Sequence, residues 1–174
     1  MTFKETGLNG AYLIDLERRE DERGFFARFF CNKEFDAKNL NSEIVQINNS
    51  FSIHKGTFRG LHFQNAPMSE DKIIRCVAGS LLDIIVDLRK DSSTYLKHFK
   101  VELNCSNRMA LFVPKGFAHG FLTLEDNTEA FYLTTQFYSP VHESGLRYDD
   151  PKLNIVLPFE PLHITEKDKN WKLL

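Results

Sequence analysis

The chain has 174 residues, 42% of them hydrophobic, with a net charge of −2 and a pI near 6.3. That length suits one domain, residues 1–174, whose core can stand without disulfides or metal staples. The near-neutral balance provides no basic face for a phosphate backbone, so no nucleic-acid partner is expected.

The first residues, MTFKETGLNGAYLIDLE, lack the basic patch and apolar core of a secretory signal, and no leader is expected. Sixteen phenylalanines against one tryptophan favour pleated, half-buried surfaces. Strands are predicted from apolar or alternating runs at 11–16, 24–31, 43–53, 60–63, 72–78, 80–88, 98–103, 109–113, 119–124 and 129–138. After the second run, Asn32 followed by KEFDAKNL reads as the cap of a short helix carrying Phe35 and Leu40. In residues 80–88, Leu82, Ile84, Val86 and Leu88 share one face, while Asp83 and Asp87 share the other with Leu81 and Ile85. That mixed acidic face predicts a strand with one wet edge. The longest apolar stretch, LLDIIVDL, falls far short of the roughly 20 residues that span a bilayer, so no membrane partner is expected. The last residues, ITEKDKNWKLL, read as a helical or irregular tail. Gly56, Gly79, Gly116, Pro114, Pro140 and Pro151 fall between the runs, so many short strands joined by turns predict an all-β sandwich or barrel. Three widely spaced cysteines, Cys31, Cys76 and Cys105, suggest neither a disulfide framework nor a zinc site, and point to a reducing cytoplasm.

Two polar stretches need a reason. In GTFRGLHFQ, residues 56–64, strict alternation sends Arg59, Leu61 and Phe63 to one face and Phe58, Gly60, His62 and Gln64 to the other. In PKGFAHGF, residues 114–121, His119 follows a tight turn. With Gly79 and the many strands, these stretches resemble the two histidine-bearing motifs of the cupin jelly roll. Metal-binding cupins carry a second histidine where this chain has Gln64, and a neutral amide is a poor ligand for a transition metal. His62 and His119, with Glu70, would make a weak donor set; two core histidines that merely hydrogen-bond are the plain alternative.

Across almost the whole chain the sequence resembles the family of dTDP-4-dehydrorhamnose 3,5-epimerases. The matching blocks are DERGFF, QINNSFS, GTFRGLHFQ, DKIIRCVAG, DIIVDLRKDSSTY, VPKGFAHGFLTL, FYLTTQFYSP, YDDP and EKD, in that order. The resemblance implies a cupin-type double-stranded β-helix with a few short peripheral helices. It implies an epimerase without cofactor or metal, inverting C3 and C5 of a nucleotide-diphospho-4-keto-6-deoxyhexose through an enolate, dTDP-4-dehydro-6-deoxy-D-glucose giving dTDP-4-dehydro-L-rhamnose. Such chemistry needs a base on one face, an acid on the other and a positive group at the carbonyl. By the resemblance His62 is the base, Asp168 its dyad partner, Lys72 the cation at the keto oxygen and Tyr132 the acid. Tyr138 is placed against the nucleotide base, and Arg23 and Arg59 on the diphosphate, where guanidinium binds oxygens bidentately. Gln46, Asn48, His119, Glu143 and Lys167 complete the substrate positions, and Arg28 stands where several members carry a glutamate after RGFF. The resemblance implies a homodimer whose active sites can borrow residues from the neighbour. Three alternatives stand beside this reading: an enzyme inverting one carbon on a differently based nucleotide sugar, a non-catalytic sugar- or nucleotide-binding jelly roll, and a metal-dependent cupin.

Overall fold

The apolar runs form two facing antiparallel sheets in the computed structural model, which describes residues 1–174, and the most central strands are buried on both faces. Strands β1 (Thr2–Glu5), β2 (Tyr12–Asp15), β10 (Ala110–Val113), β7 (Lys72–Ala78), β12 (Thr128–Thr134) and β5 (Gln46–Ser52) hydrogen-bond in that order into a six-stranded sheet. A five-stranded sheet runs β13 (Glu143–Gly145), β6 (Phe58–Gln64), β11 (Phe117–Thr123), β8 (Ser80–Asp87) and β9 (His98–Asn104). Strands β3 (Arg19–Asp21) and β4 (Gly24–Phe26) form a separate hairpin. This is the expected all-β jelly roll, with two short helices, α1 (Asn32–Asp36) and α2 (Glu166–Lys169), at its periphery. No helix is long and apolar enough to cross a membrane.

Three apolar layers hold it together. Ile74, Cys76, Leu111 and Ala130 meet Leu81, Ile85, Phe117 and Phe121 between the sheets. Outside the six-stranded sheet, Phe35 of α1 and Leu40 cover Ile14, Ile73, Phe112 and Leu133. Outside the five-stranded sheet, the segment after β13 lays Leu146, Leu153 and Ile164 over Phe58, Leu61, Ile84 and Leu122. This last layer fastens the tail, and α2 with it, to the sheet that carries His62.

Several local expectations are corrected. The run 24–31 pairs only over Gly24–Phe26; Phe29 and Phe30 leave the hairpin to pack against Phe131 and Phe35. Asn32 is not the cap: Cys31 holds that position with no side-chain bond, and the Asn32 amide donates instead to the Ser42 carbonyl. Asp83 and Asp87 are not at a wet edge, since both are 0% exposed. Asp87 is satisfied by Arg89, Ser92 and Thr94. Burial pushes its carboxyl up, but those donors prevail and hold it well below the usual carboxylate range.

The correction that matters for the site lies in β6. His62 pairs with His119 while Arg59 pairs with Phe121, so Gly60 and Leu61 on β6 oppose Gly120 alone on β11. The extra residue is a bulge at Gly60, which reverses the alternation. Phe58 and Leu61 therefore both pack outward, whereas Arg59 joins His62 on the cavity wall. Only glycine fits at the bulge: φ is +135°, and a Cβ would stand 2.5 Å from Gly120 Cα.

Candidate active site

The mouth of the sandwich holds two lobes of about 320 and 480 Å³ that share His62, Lys72 and Tyr132 as a common wall. His62 enters from β6 of the five-stranded sheet, while Lys72 on β7 and Tyr132 on β12 enter from the facing sheet. Any molecule seated there has an imidazole on one side and a phenol and an ammonium on the other.

Asp168 reaches His62 from α2. Thr165 caps that helix, its hydroxyl accepting from the Asp168 N–H, and so points the carboxylate back at β6. The side chain is 4% exposed, with Oδ1 2.7 Å from His62 Nε2 and Oδ2 accepting from the Gly60 N–H at 3.3 Å. Burial raises the carboxyl's pKa, but the His62 bond and charge, then the Gly60 and Trp171 N–H groups, bring it below its ordinary value. An ionised Asp168 accepts only, so Nε2 carries the proton and Nδ1 is the ring nitrogen left to act as a base.

Lys72 is held by an unexpected relay. Its ammonium lies 3.1 Å from Glu70 Oε1, with side chains only 14% and 7% exposed. Glu70 Oε2 accepts from Gln64 Nε2 at 2.9 Å, and Gln64 also donates to the Met68 carbonyl and accepts from the Ser139 N–H. The amide where a metal cupin keeps an imidazole thus anchors the carboxylate that holds the cation. Tyr132 is half-buried, and burial raises its phenol further, offset by the Arg59 charge and helped by Glu70. It keeps its proton until a stronger base forms beside it.

His119 faces the first lobe, and its Nε2 meets Asp83 Oδ1 at 2.7 Å. Arg59 borders the same lobe, steadied by Ser52 Oγ and the Phe51 carbonyl, each at 3.1 Å. In the second lobe Tyr138 donates to Glu143 at 2.8 Å, and Lys167 bonds the other Glu143 oxygen at 2.6 Å. Burial raises Glu143, yet Lys167 and Tyr138 pull it below the ordinary glutamate value. The Tyr138 N–H donates to Gln46 Oε1, and Asn48 lines the wall beside it. The exposed Tyr138 ring, 58% accessible, is a flat apolar platform at the mouth.

Eleven of the thirteen predicted site residues therefore converge: His62, Lys72, Tyr132, Asp168, Arg59, His119, Lys167, Gln46, Asn48, Tyr138 and Glu143. Arg23 and Arg28 do not. Arg23 sits at the hairpin turn, 82% exposed and bonded to Asp21; Arg28 pairs with Glu34. Sequence reasoning missed Asp83, whose signal was a carboxylate in phase with the buried Leu81 and Ile85, and saw Glu70 only as a metal ligand. No three His, Cys, Asp or Glu side chains converge on a point that would hold a metal ion, and both site histidines already spend Nε2 on carboxylates.

Comparison with known proteins gives the same picture. The family model described as dTDP-4-dehydrorhamnose 3,5-epimerase matches residues 5–174. A protein of that name from Methanothermobacter thermautotrophicus is 43% identical over 175 residues, covering 99% of this chain and 94% of its own. The crystal structure of the Bacillus anthracis epimerase with TDP and PPi bound superposes with a TM-score of 0.95 at 38% identity, covering 99% of each chain. The Legionella pneumophila epimerase in complex with dTDP-4-keto-L-rhamnose gives a TM-score of 0.92 at 34% identity, covering 99% of this chain and 92% of the other. The chain therefore belongs to the dTDP-4-dehydrorhamnose 3,5-epimerase family.

Proposed function

We propose that the chain converts dTDP-4-dehydro-6-deoxy-D-glucose to dTDP-4-dehydro-L-rhamnose by inverting C3 and C5. Both carbons flank the C4 ketone, so each proton leaves as the carbonyl electrons shift to oxygen. His62 Nδ1 takes the proton, and the ionised Asp168 at Nε2 favours the imidazolium that forms. Lys72 meets the developing oxyanion, where a fixed cation in a shielded cavity counts for more than in water. Tyr132 returns a proton from the opposite sheet, which inverts the centre. The observation that carries the reading is this placement of the base and the acid on facing sheets around one cavity.

Tyr138 stacks on the thymine and Arg59 takes diphosphate oxygens. Gln46, Asn48, Glu143, His119 and Lys167 frame the bound nucleotide sugar. The dimer completes the site. Edge strand β5 and its flanks leave Ile47, Phe51 and Ile53 52–60% exposed, and the hairpin presents Phe26 at 67%. A second copy covering this strip would satisfy the open edge and carry the hairpin, with Arg23 and Arg28, to the neighbour's cavity. We place the enzyme in the cytoplasm, in keeping with three free cysteines.

The test is deuterium uptake from heavy water into the 4-keto sugar, read by mass spectrometry. Two deuterons per turnover are expected, and His62→Ala loses both; one deuteron would restrict the reaction to a single carbon. No exchange at either carbon with the pure protein would refute the reading.

A further inference from the structure

The two site histidines are partnered differently. His119 takes its carboxylate from β8, the adjacent strand of its own sheet, whereas His62 takes one from 106 residues away on a four-residue helix. One turn of helix has no stability of its own. What presses Asp168 onto His62 must come from its surroundings, and on the carboxyl-terminal side that is Trp171.

Trp171 lies half-buried in a tail whose neighbours Asn170, Lys172 and Leu173 are exposed. Its indole is seated on Gly145, the residue that pairs with His62 across β13 and β6. The seat is so close that a Cβ at 145 would stand 2.3 Å from Cε2 and 2.4 Å from Nε1. From there the ring edge faces the imidazole, centroids 6.3 Å apart and planes at 69°. The indole N–H donates to Asp168 Oδ1 at 3.4 Å, on the oxygen that His62 uses. Lys167, bonded to Glu143, covers the ring from 5.6 Å. Trp171 lines neither lobe of the cavity.

We propose that Trp171 is a positioning residue: seated on Gly145, its indole clamps α2 so that the Asp168 carboxylate stays on His62 Nε2. An ordinary apolar anchor needs neither a bare Cα beneath it nor a donor aimed at the dyad. The 3.4 Å contact is long for a hydrogen bond, so the ring's seat supplies the clamp and the N–H supplies its direction.

This inference rests on His62 being the base, and the experiment separates the two ideas. In the full-length protein, kcat and KM are measured for wild type, Trp171→Ala, Trp171→Phe and Gly145→Ala. Emission of the sole tryptophan is titrated against pH in wild type, His62→Gln and Gly145→Ala. Wild-type emission should respond to the charge on His62, because imidazolium quenches a nearby indole, and His62→Gln should abolish that response. Gly145→Ala, which forces the ring off its seat, should abolish it too while retaining both His62 and Trp171. Trp171→Ala and Gly145→Ala should lower kcat about 10- to 100-fold with KM little changed, the range by which losing a hydrogen-bonded partner weakens a metal-bound histidine. Trp171→Phe, which keeps a ring on Gly145, should retain most of the rate. Wild-type kcat in Trp171→Ala, a KM-only effect, or an unaltered emission titration in Gly145→Ala overturns the proposal. A wild type that titrates as expected but turns over no 4-keto sugar refutes the proposed reaction and leaves the clamp standing. The titration needs only wild type and folded point variants, so failure of Trp171→Ala to fold does not block the decision.

Discussion

Removing the Glu70 carboxylate should damage stability and rate through one contact. Glu70→Ala deprives the Lys72 ammonium of its partner at 3.1 Å in a place where Lys72 is only 14% exposed. Breaking a buried pair by deleting one member costs about 3–5 kcal/mol, because the remaining charge is stranded. Lys72 borders the cavity and regains some water there, so a loss of about 2–3 kcal/mol is the better figure. Gln64 adds little to it, since its amide keeps acceptors in the Met68 and Phe137 carbonyls at 2.8 and 3.2 Å. At about 2–4 °C per kcal/mol for a chain of this size, Tm should fall by about 4–12 °C. The rate should fall less than in Lys72→Met, where loss of the proposed oxyanion donor should cost about 10²–10³ in kcat. Pairing the two changes sharpens the test. The double variant Glu70→Ala/Lys72→Met leaves no stranded charge and should recover stability over either single variant while staying catalytically poor. Denaturant unfolding of the four proteins gives the coupling energy, expected at about 1–3 kcal/mol. A coupling below about 0.5 kcal/mol, or a Glu70→Ala enzyme with wild-type kcat, would show that the relay does not hold Lys72.

Other perturbations probe separate parts of the molecule. Tyr132→Phe should slow formation of the inverted product more than wash-in of solvent deuterium, and an equal loss of both would remove Tyr132 from the reprotonation step. Asp87→Asn should destabilise the fold by about 2 kcal/mol at pH 7, since it breaks the buried bonds to Arg89, Ser92 and Thr94. Because the folded carboxyl sits below its ordinary value of 3.8, that stabilisation is fully present above about pH 4 and fades as pH falls further. Urea midpoints of both proteins from pH 7 to pH 3 should therefore converge, and a constant gap would contradict the assignment. Phe51→Asp, on the exposed face of β5, should convert the proposed dimer to monomers by sedimentation and raise KM; a dimeric variant would place the interface elsewhere, and a monomeric wild type would refute the dimer.

Most strand positions were legible because short apolar runs bounded by turn residues survive in the sequence wherever a strand is largely buried. Residues 72–78 and 80–88 illustrate this, matching β7 and β8 to within one residue. Strands β1 and β3 are short and mostly exposed, which leaves no pattern to read, and β13, half-buried, is only three residues long. Arg59 was assigned to the wrong face because a bulge is a backbone event that sets Gly60 against Gly120 on the next strand, which one strand's sequence does not record. The catalytic roles came from resemblance to a family, and the geometry then brought eleven of those residues to one cavity. Asp83 was readable only as an anomaly. A carboxylate in phase with Leu81 and Ile85 has to face the interior, and an interior carboxylate needs a donor, yet nothing within its strand names His119 as that donor.

The contrast between the two histidines bears on how this jelly roll becomes an enzyme. His119 and Asp83 are fixed to each other by the β11–β8 ladder, so their geometry persists while the sheet persists. His62, the proposed base, has no such guarantee. Neither neighbour of β6 supplies a carboxylate that reaches Nε2; the ladder to β11 brings His119 opposite His62, and the ladder to β13 brings Gly145. The partner therefore has to arrive from outside the sheet, and it does so on a tail held by Lys167 to Glu143, by the Leu174 N–H to Asp150 and by the Trp171 seat. Chain ends open locally at far lower cost than sheets do. On the proposed mechanism the active population is the population with the tail docked, and a docking free energy of about 2 kcal/mol would leave about 3% of molecules with His62 unsupported at any moment. Glycine at 145 makes room for that docking, which links an otherwise unremarkable three-residue edge strand directly to the competence of His62.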